Sequence, residues 1–345
     1  MFNMRTAVVG AGSIGTIAGA LLSKAGLEVV LVDANEAHVN ALNSNGATVV
    51  GCMELQTPVQ AVTPERTQGV FDLVLYTAKA TYDDDALPQA IMHMDENSVL
   101  LTLQNGVPEE KVAGYVGRER TIGGAVGWGA TWKEPGVSEL TSIPEDMTYD
   151  IGELDGQVTK RIKSVKEVLD NAGEAMITEN LVGVRWTKLL VNVAMSGLST
   201  VLDCNYGQIV DDEKASYAAL CVMLETIRAS QGLGILMEPM QGVNPVVLLD
   251  IAKENLEAAR NVIKMIYDPH RLIVGSMLQD LKKGLKCEVE ALNGYLSAKS
   301  LEASVPTPVN DQVTRMIRLI EERDLDYKWS NLDKIELPEI SIYYE

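Results

Sequence analysis

Six residues near the start of the chain, Gly10-Ala11-Gly12-Ser13-Ile14-Gly15, have the types and spacing to hold a phosphate. They follow the apolar run Arg5–Val9 and open an Ala/Leu-rich stretch, Ile14–Ala25, so the glycines fall where a strand would hand over to a helix. At such a turn the first glycine permits the sharp bend. The second lets a pyrophosphate approach the backbone, and the third lets helix and strand pack closely. The helix N-terminus then offers unpaired N–H groups and the positive end of its dipole. A second run, Leu27–Val32, ends in Asp33, 18 residues beyond Gly15, where a carboxylate accepts hydrogen bonds from ribose hydroxyls. We therefore assign Gly10, Gly12, Ser13, Ile14, Gly15 and Asp33 to a dinucleotide site. Asp33 would repel a 2′-phosphate, and Ala34, Asn35 and Glu36 offer no arginine to neutralise one, so NAD(H) is preferred, with NADP(H) as the alternative. The structural reading of Asp33 is a helix N-cap for Glu36–Asn43.

A second constellation lies in the middle of the chain. Trp186-Thr187-Lys188 opens a helical pattern in which Lys188, Asn192 and Ser196 recur at i, i+4 and i+8, giving an otherwise apolar helix one polar face. A lysine on an apolar helix ordinarily snorkels to solvent. At a domain junction, where clefts bind ligands, a half-buried lysine is instead a candidate proton donor.

The elements that position these residues divide the chain in two. In the first half, continuous apolar runs (Arg5–Val9, Leu27–Val32, Leu73–Thr77, Ser98–Leu103) alternate with helical patterns, which predicts strands buried on both faces of a parallel, doubly wound α/β sheet. The segment from Ile122 to about Glu153 reads as later strands, and Val158–Ala172 as a helix. After Trp186 helical spacing dominates: Trp186–Val201, Glu213–Gly232, Val246–Ile266, Ser276–Leu285, Glu288–Lys299 and Asn310–Asp324. The expected architecture is a Rossmann-type domain over residues 1–180, an all-helical domain over 181–324 and a tail over 325–345. The Asp83-Asp84-Asp85 run reads as a solvated helix start, and His38 and His93 as residues inside helices with no part in catalysis.

With 345 residues, two domains and a sizeable core are expected. Lys and Arg number 29 against 48 Asp and Glu, a formal net charge of −19, which repels nucleic-acid backbones and anionic membrane surfaces. No run approaches the roughly 18 apolar residues that span a bilayer, and Met1–Arg5 leads into Thr6–Val9 with no signal-peptide layout. Cys52, Cys204, Cys221 and Cys287 form no CxxC pair, and the three histidines stand apart, so neither a disulfide framework nor a metal site is expected. These features together predict a cytoplasmic protein.

The ordered motifs resemble those of the ketopantoate reductase (2-dehydropantoate 2-reductase) family over residues 4–320. The resemblance rests on Gly10–Gly15, Lys79 after Leu73–Thr77, Gln104-Asn105-Gly106, Pro135-Gly136-Val137, Trp186-Thr187-Lys188 with Asn192, Ser276–Asp280, and Glu288-Val-Glu-Ala-Leu-Asn293-Gly294. It implies that Lys188 is the catalytic lysine that protonates a carbonyl oxygen, and that Glu288 is the catalytic glutamate orienting substrate and lysine. Asn105 is implied to lie near the nicotinamide and the substrate, Asn192 and Ser276 to bind substrate, and Lys79 to lie on the adenosine side of the cofactor. Ser196 stands where the family carries a second asparagine, and takes that substrate-binding position. The structural readings are a solvated helix residue for Glu288, a turn former for Asn105, a helix N-cap for Ser276 and a surface charge for Lys79.

The expected activity is NAD(P)H-dependent reduction of a 2-oxo acid, ketopantoate or a close analogue. The alternatives are an NAD-dependent D-2-hydroxyacid dehydrogenase acting on another branched or aromatic 2-oxo acid, and a non-catalytic dinucleotide-binding sensor. The expected partner is a small-molecule 2-oxo acid, and the resemblance, with the helical second domain, makes a homodimer plausible.

Overall fold

The computed structural model describes residues 4–239 and 242–344. The part of the amino-terminal reading that rests on Met1–Asn3 lies outside the described residues, as do Met240, Gln241 and Glu345. The chain forms two compact units, residues 1–181 and 182–345.

In the first unit the four apolar runs become strands, and eight further strands join them. These are β1 (Thr6–Val9), β2 (Val29–Val32), β3 (Ala47–Gly51), β4 (Leu55–Thr57), β5 (Gln60–Val62), β6 (Leu73–Tyr76), β7 (Val99–Thr102), β8 (Thr121–Val126), β9 (Ala130–Glu134), β10 (Val137–Leu140), β11 (Thr148–Glu153) and β12 (Glu174–Ile177). The helices between them are α1 (Ser13–Lys24), α2 (Glu36–Asn45), α3 (Asp83–Ile91), α4 (Glu109–Val116) and α5 (Lys160–Leu169). Eight strands form one sheet in the order β12-β11-β8-β7-β6-β1-β2-β5. Every pairing is parallel except β11 with β8. Strands β2, β6 and β7 are buried at every position, as continuous apolar runs require when helices cover both faces.

One feature of this unit is not legible in the apolar runs. Strands β4, β3, β10 and β9 form a second, four-stranded sheet that packs on α1. Residues Ile122–Glu153 do supply strands, as expected, but β9 and β10 join this second sheet, and their partners β3 and β4 were not foreseen. Strand β4 is only three residues, Leu-Gln-Thr, and β3, Ala-Thr-Val-Val-Gly, lies directly after helix α2 and ends in glycine, so neither stands out as a separate apolar run.

The second unit is helical, with α6 (Leu181–Val191), a π-helical turn Asn192–Ser196, α7 (Gly197–Leu202), α8 (Tyr206–Asp211), α9 (Glu213–Gly232), α10 (Val247–Glu254), α11 (Leu256–Tyr267), α12 (Ser276–Lys282), α13 (Asn293–Glu302) and α14 (Pro308–Glu321). Helix α9 is its centre. Fourteen of its residues are buried, including polar Glu225 and Thr226, so it is enclosed around most of its circumference. The tail from Leu325 belongs to this unit and packs on it. Tyr217 donates to Pro338 O at 2.7 Å, Arg228 to Ile342 O at 3.1 Å and Tyr344 to Leu249 O at 2.6 Å.

Three helix readings are corrected here. Trp186–Val201 is not one α-helix, because the π turn interrupts it. Val246–Ile266 is two helices, broken at Asn255, whose side chain caps α11 by accepting from Ala258 N–H at 3.0 Å. The helix expected from Glu288 starts at Asn293, and residues 288–292 form turns.

Candidate functional site

Four adjacent strands, in the order β7-β6-β1-β2, bring the first set of site residues to one edge of the large sheet. Beyond their carboxyl ends lie Asn105, Lys79, Gly10–Gly15 and Asp33 respectively, the edge at which open α/β sheets bind ligands.

The three glycines have separate physical reasons. Gly10 has φ +88°, and a Cβ there would stand 2.4 Å from Ala78 N. A Cβ on Gly15 would stand 2.4 Å from Gly10 O and 2.8 Å from Thr77 Oγ1, so this glycine allows the turn to close on the helix. Gly12 differs: a Cβ there would meet nothing within 4 Å. It is the N-cap residue of α1, and no side chain caps the helix. Such a cradle suits the pyrophosphate of a dinucleotide. Gly10 and Ala11 N–H both donate to Val32 O, at 2.8 and 3.3 Å, which ties the turn to the end of β2. Ser13 and Ile14, both half-buried, begin the helix.

Asp33 is half-buried, and its Oδ1 accepts from Asn35 N–H at 2.9 Å. It is not the N-cap of α2. That role falls to Asn35, which accepts from His38 N–H at 3.2 Å. Asp33 itself directly follows the end of β2. The fold also brings Arg66, on a 3₁₀ turn after β5, to 3.9 Å from Glu36 in an exposed ion pair. A basic residue more than thirty positions along the chain gave no sign in the sequence of this neighbour.

Lys79 is half-buried in the loop after β6, and Asn105 is half-buried in the loop after β7, followed by Gly106 at φ +80°. A buried network joins these two loops. Asp83 is fully buried, which corrects the reading of Asp83-Asp84-Asp85 as a wholly solvated helix start. Its Oδ1 accepts from Tyr76 Oη at 3.0 Å and from Gln104 Nε2 at 2.7 Å, and its Oδ2 lies 3.1 Å from Lys111 Nζ. Gln104 Nε2 also donates to Ala78 O at 2.9 Å, beside Lys79. Burial first, and Asp83 second, hold the Tyr76 phenol well above its usual pKa, so it remains a donor. Gln104 stood in the sequence motif, but its partner Asp83 looked like one of three surface charges.

The second set of residues is in the helical unit. Lys188 is half-buried on α6, four residues before the π turn begins, and Asn192 and Ser196 are the first and last residues of that turn. An α-helix advances about 100° per residue, so Ser196 would drift some 80° from Lys188 over eight positions. The wider π turn advances less per residue and swings Ser196 back toward the Lys188 face. The single polar face read from the spacing thus depends on a departure from the α-helix. One buried atom on it, Asn192 Nδ2, has no hydrogen-bond partner in the protein, and Ser196 lies beside the Tyr206 phenol. Buried polar atoms of this kind call for an external partner.

Gly275 fits against Ser196, since a Cβ at Gly275 would stand 2.6 Å from Ser196 Oγ. It brings half-buried Ser276 to the same place as the first residue of α12. Gly275, not Ser276, is the N-cap, which corrects the structural reading of Ser276. Glu288 is only 4% exposed, so it is not a solvated helix residue. It lies in the turns leading to α13, whose first residue, Asn293, donates through Nδ2 to Val193 O within the π turn at 2.9 Å and to Asn310 Oδ1 at 2.9 Å. Asn293 therefore fastens the Glu288 segment to the helix carrying Asn192 and Ser196. It was visible in the sequence motif, but nothing there showed that it serves a widened helical turn.

No group of three or more His, Cys, Asp or Glu able to hold a metal ion occurs among the described residues. None of the described helices is long and apolar enough to cross a membrane.

With this geometry in place, comparison with known proteins is decisive. The family model described as ketopantoate reductase PanE/ApbA matches residues 6–156, and its C-terminal counterpart matches residues 180–321. The chain belongs to the ketopantoate reductase family. A 2-dehydropantoate 2-reductase of Pyrococcus horikoshii is 30% identical over 92% of this chain and 98% of its own length. Among solved structures, the D-mandelate dehydrogenase ternary complex with NADH and anilino(oxo)acetate matches with a TM-score of 0.80 at 23% identity, covering 93% of this chain and 99% of that one. A dimeric ketopantoate reductase from Staphylococcus aureus matches with a TM-score of 0.72 at 16% identity, over 93% and 99%. At these identities the structural likenesses establish the fold. As a member of the ketopantoate reductase family, the protein is a dinucleotide-binding oxidoreductase.

Proposed function

We propose that this ketopantoate reductase family member reduces ketopantoate or a close 2-oxo acid analogue, with residues 1–180 binding the dinucleotide, residues 181–324 supplying the substrate-binding and catalytic side chains, and the tail over 325–345 buttressing the latter. The observation that carries the reading is Gly12, an uncapped helix N-terminus opening on empty space where a side chain would stand.

Gly12, Ser13 and Ile14 would hold the pyrophosphate, Gly10 and Gly15 would shape the turn, Asp33 would hold the ribose, and Lys79 and Asn105 would flank the two ends of the dinucleotide. When bound, the reduced nicotinamide supplies hydride to a carbonyl carbon. Lys188 stabilises the negative charge that develops on the carbonyl oxygen and delivers its proton there. Glu288, buried, keeps substrate and lysine oriented. Asn192 Nδ2, Ser196 and Ser276 would hydrogen-bond the 2-oxo acid.

The cofactor reading favours NADH, because Asp33 would repel a 2′-phosphate. NADH in the D-mandelate dehydrogenase complex supports it, and that complex also supports the second reading, an NAD-dependent D-2-hydroxyacid dehydrogenase for another branched or aromatic 2-oxo acid. Arg66 beside Glu36 favours NADPH instead, since turning from Glu36 it would meet a 2′-phosphate. A homodimer is supported by the dimeric relative, and a cytoplasmic setting by four cysteines that form no disulfide; sedimentation tests the first of these.

The deciding experiment is a panel of 2-oxo acids run with NADH and with NADPH. Turnover of ketopantoate with either cofactor supports the main reading, and turnover of an aromatic 2-oxo acid alone supports the second. Dinucleotide binding without turnover of any acid would leave a sensor. A strong NADPH preference that collapses in Arg66→Ala would reverse the cofactor assignment.

A further inference from the structure

His38 is 1% exposed, lies on α2 and takes no part in the chemistry described above. Both of its ring nitrogens are nonetheless engaged. Gly136 N–H, in the turn between β9 and β10, reaches His38 Nδ1 at 2.9 Å. A backbone N–H can only donate, so Nδ1 accepts, and the proton of the neutral ring is on Nε2. That Nε2 lies 2.7 Å from Ala11 O, inside the glycine turn. Thr16 Oγ1 donates to the same carbonyl at 2.7 Å and lies 3.2 Å from Nε2.

The consequence follows from the planarity of the peptide unit. In a trans peptide the carbonyl of one residue and the N–H of the next point in opposite directions, and no cis peptide occurs among the described residues. Holding Ala11 O inward on His38 and Thr16 therefore turns Gly12 N–H the opposite way, outward, at a residue where a Cβ would meet nothing within 4 Å. The neighbouring peptide is fixed too, with Gly10 O accepting from Thr77 Oγ1 at 2.6 Å. Without the His38 bond, the Ala11–Gly12 peptide is freer to rotate, and a pyrophosphate must order it on binding.

We propose that His38 is the positioning residue of the dinucleotide turn: its Nε2–H fixes the Ala11–Gly12 peptide so that the Gly12 amide meets the pyrophosphate. This rests on the dinucleotide reading above. It also gives the small sheet a task, since the β9–β10 turn fixes the tautomer through Gly136 and so sets which ring nitrogen can donate.

The test compares wild type, His38→Phe, His38→Gln and Thr16→Val by calorimetric titration with NADH, ADP and adenosine, together with steady-state kinetics. His38→Phe keeps the ring volume without the donor. It is expected to weaken NADH and ADP about tenfold, the loss of one buried hydrogen bond, to leave adenosine within about twofold, and to raise the KM for NADH with kcat at saturation nearly unchanged. His38→Gln retains an N–H donor and restores most of the affinity. Thr16→Val removes the second donor to Ala11 O and gives a smaller loss with the same ligand order; it and His38→Gln carry the test if the Phe variant does not fold. Unchanged binding in both His38→Phe and Thr16→Val overturns the proposal, as does adenosine weakened as much as ADP, which would mark a general loss of structure. If wild type binds neither NADH nor NADPH, the dinucleotide reading itself fails, and the proposal with it.

Discussion

The glycine turn makes a prediction in which stability and binding separate. Substituting Gly15 with Ala places a Cβ 2.4 Å from Gly10 O, 2.8 Å from Thr77 Oγ1 and 3.1 Å from Val8 Cγ1. Backbone and buried atoms cannot yield that space cheaply, and overpacking of this kind costs about 1–3 kcal/mol. The better helix propensity of alanine returns about 1 kcal/mol at most. Gly15→Ala should therefore lose about 1–2 kcal/mol of stability. Gly12→Ala meets no atom within 4 Å, and the native φ is −65°, which alanine adopts freely. Removing a glycine restricts the unfolded chain by about 0.4–1 kcal/mol, while alanine is a poorer N-cap by a similar amount, so stability should change by less than about 0.5 kcal/mol. Binding should respond in the opposite order. A methyl group at Gly12 occupies the approach of the pyrophosphate, and the displaced contacts to charged oxygens are worth about 1.5–3 kcal/mol, a loss of roughly tenfold to a hundredfold in affinity. Urea unfolding of the unliganded protein and calorimetric titration with NADH and NADPH measure both quantities. If Gly12→Ala binds dinucleotide as wild type does, or loses as much stability as Gly15→Ala, the turn is structural and the cofactor reading built on it fails.

The other predictions concern single side chains. Lys188→Met should lower kcat about 10²–10⁴-fold, the range for a lost proton donor, while the dissociation constant for dinucleotide stays within about twofold; full activity would remove Lys188 from the chemistry. Asp83→Ala strips the buried acceptor from Tyr76, Gln104 and Lys111, and should cost about 3 kcal/mol and raise the KM for dinucleotide. Asp83→Asn, which keeps one acceptor oxygen, should do less on both measures in thermal melts and kinetics. In the helical unit, burial pushes Glu225 up to about 7 from the usual 4.5, against the lowering effect of N–H bonds from Asn310 and Val309 and of Tyr343 Oη. A raised folded pKa means that the folded state holds the proton more tightly, so this contribution is complete below pH 4.5 and is lost as pH rises through about 7. Thermal stability should fall over that interval by up to about 3 kcal/mol, and Glu225→Gln should flatten the profile. Asp211 has the opposite sign: Lys264 and Arg271 hold its carboxyl below the usual range, so its contribution is lost as pH falls below about 3.8.

Local physics made much of this protein legible in one dimension. The glycine spacing, the buried apolar runs and the helical periodicity of the second half are short-range signals, and they sufficed for the Rossmann-type sheet, the helical unit and helix α9 over Glu213–Gly232. They also marked Lys188 and Asp33 as candidates. Tertiary structure decided what depends on partners distant in sequence. Asp83 looks like its neighbours Asp84 and Asp85 until Tyr76 and Gln104 close over it. Ser196 comes back toward the Lys188 face only because a π turn widens the helix, and Asn293, a hundred residues away, stabilises that turn by binding Val193 O. His38 reads as an ordinary helix residue until Gly136, 98 positions later, fixes its tautomer. The sequence by itself determined the central strands of the large sheet, the helical character of the second half and where a phosphate could be cradled, because periodicity and glycine spacing act within a few residues. Which polar groups are buried, and what they hold in place, was decided by the tertiary structure, because burial and hydrogen bonding are relations between segments that only folding brings together.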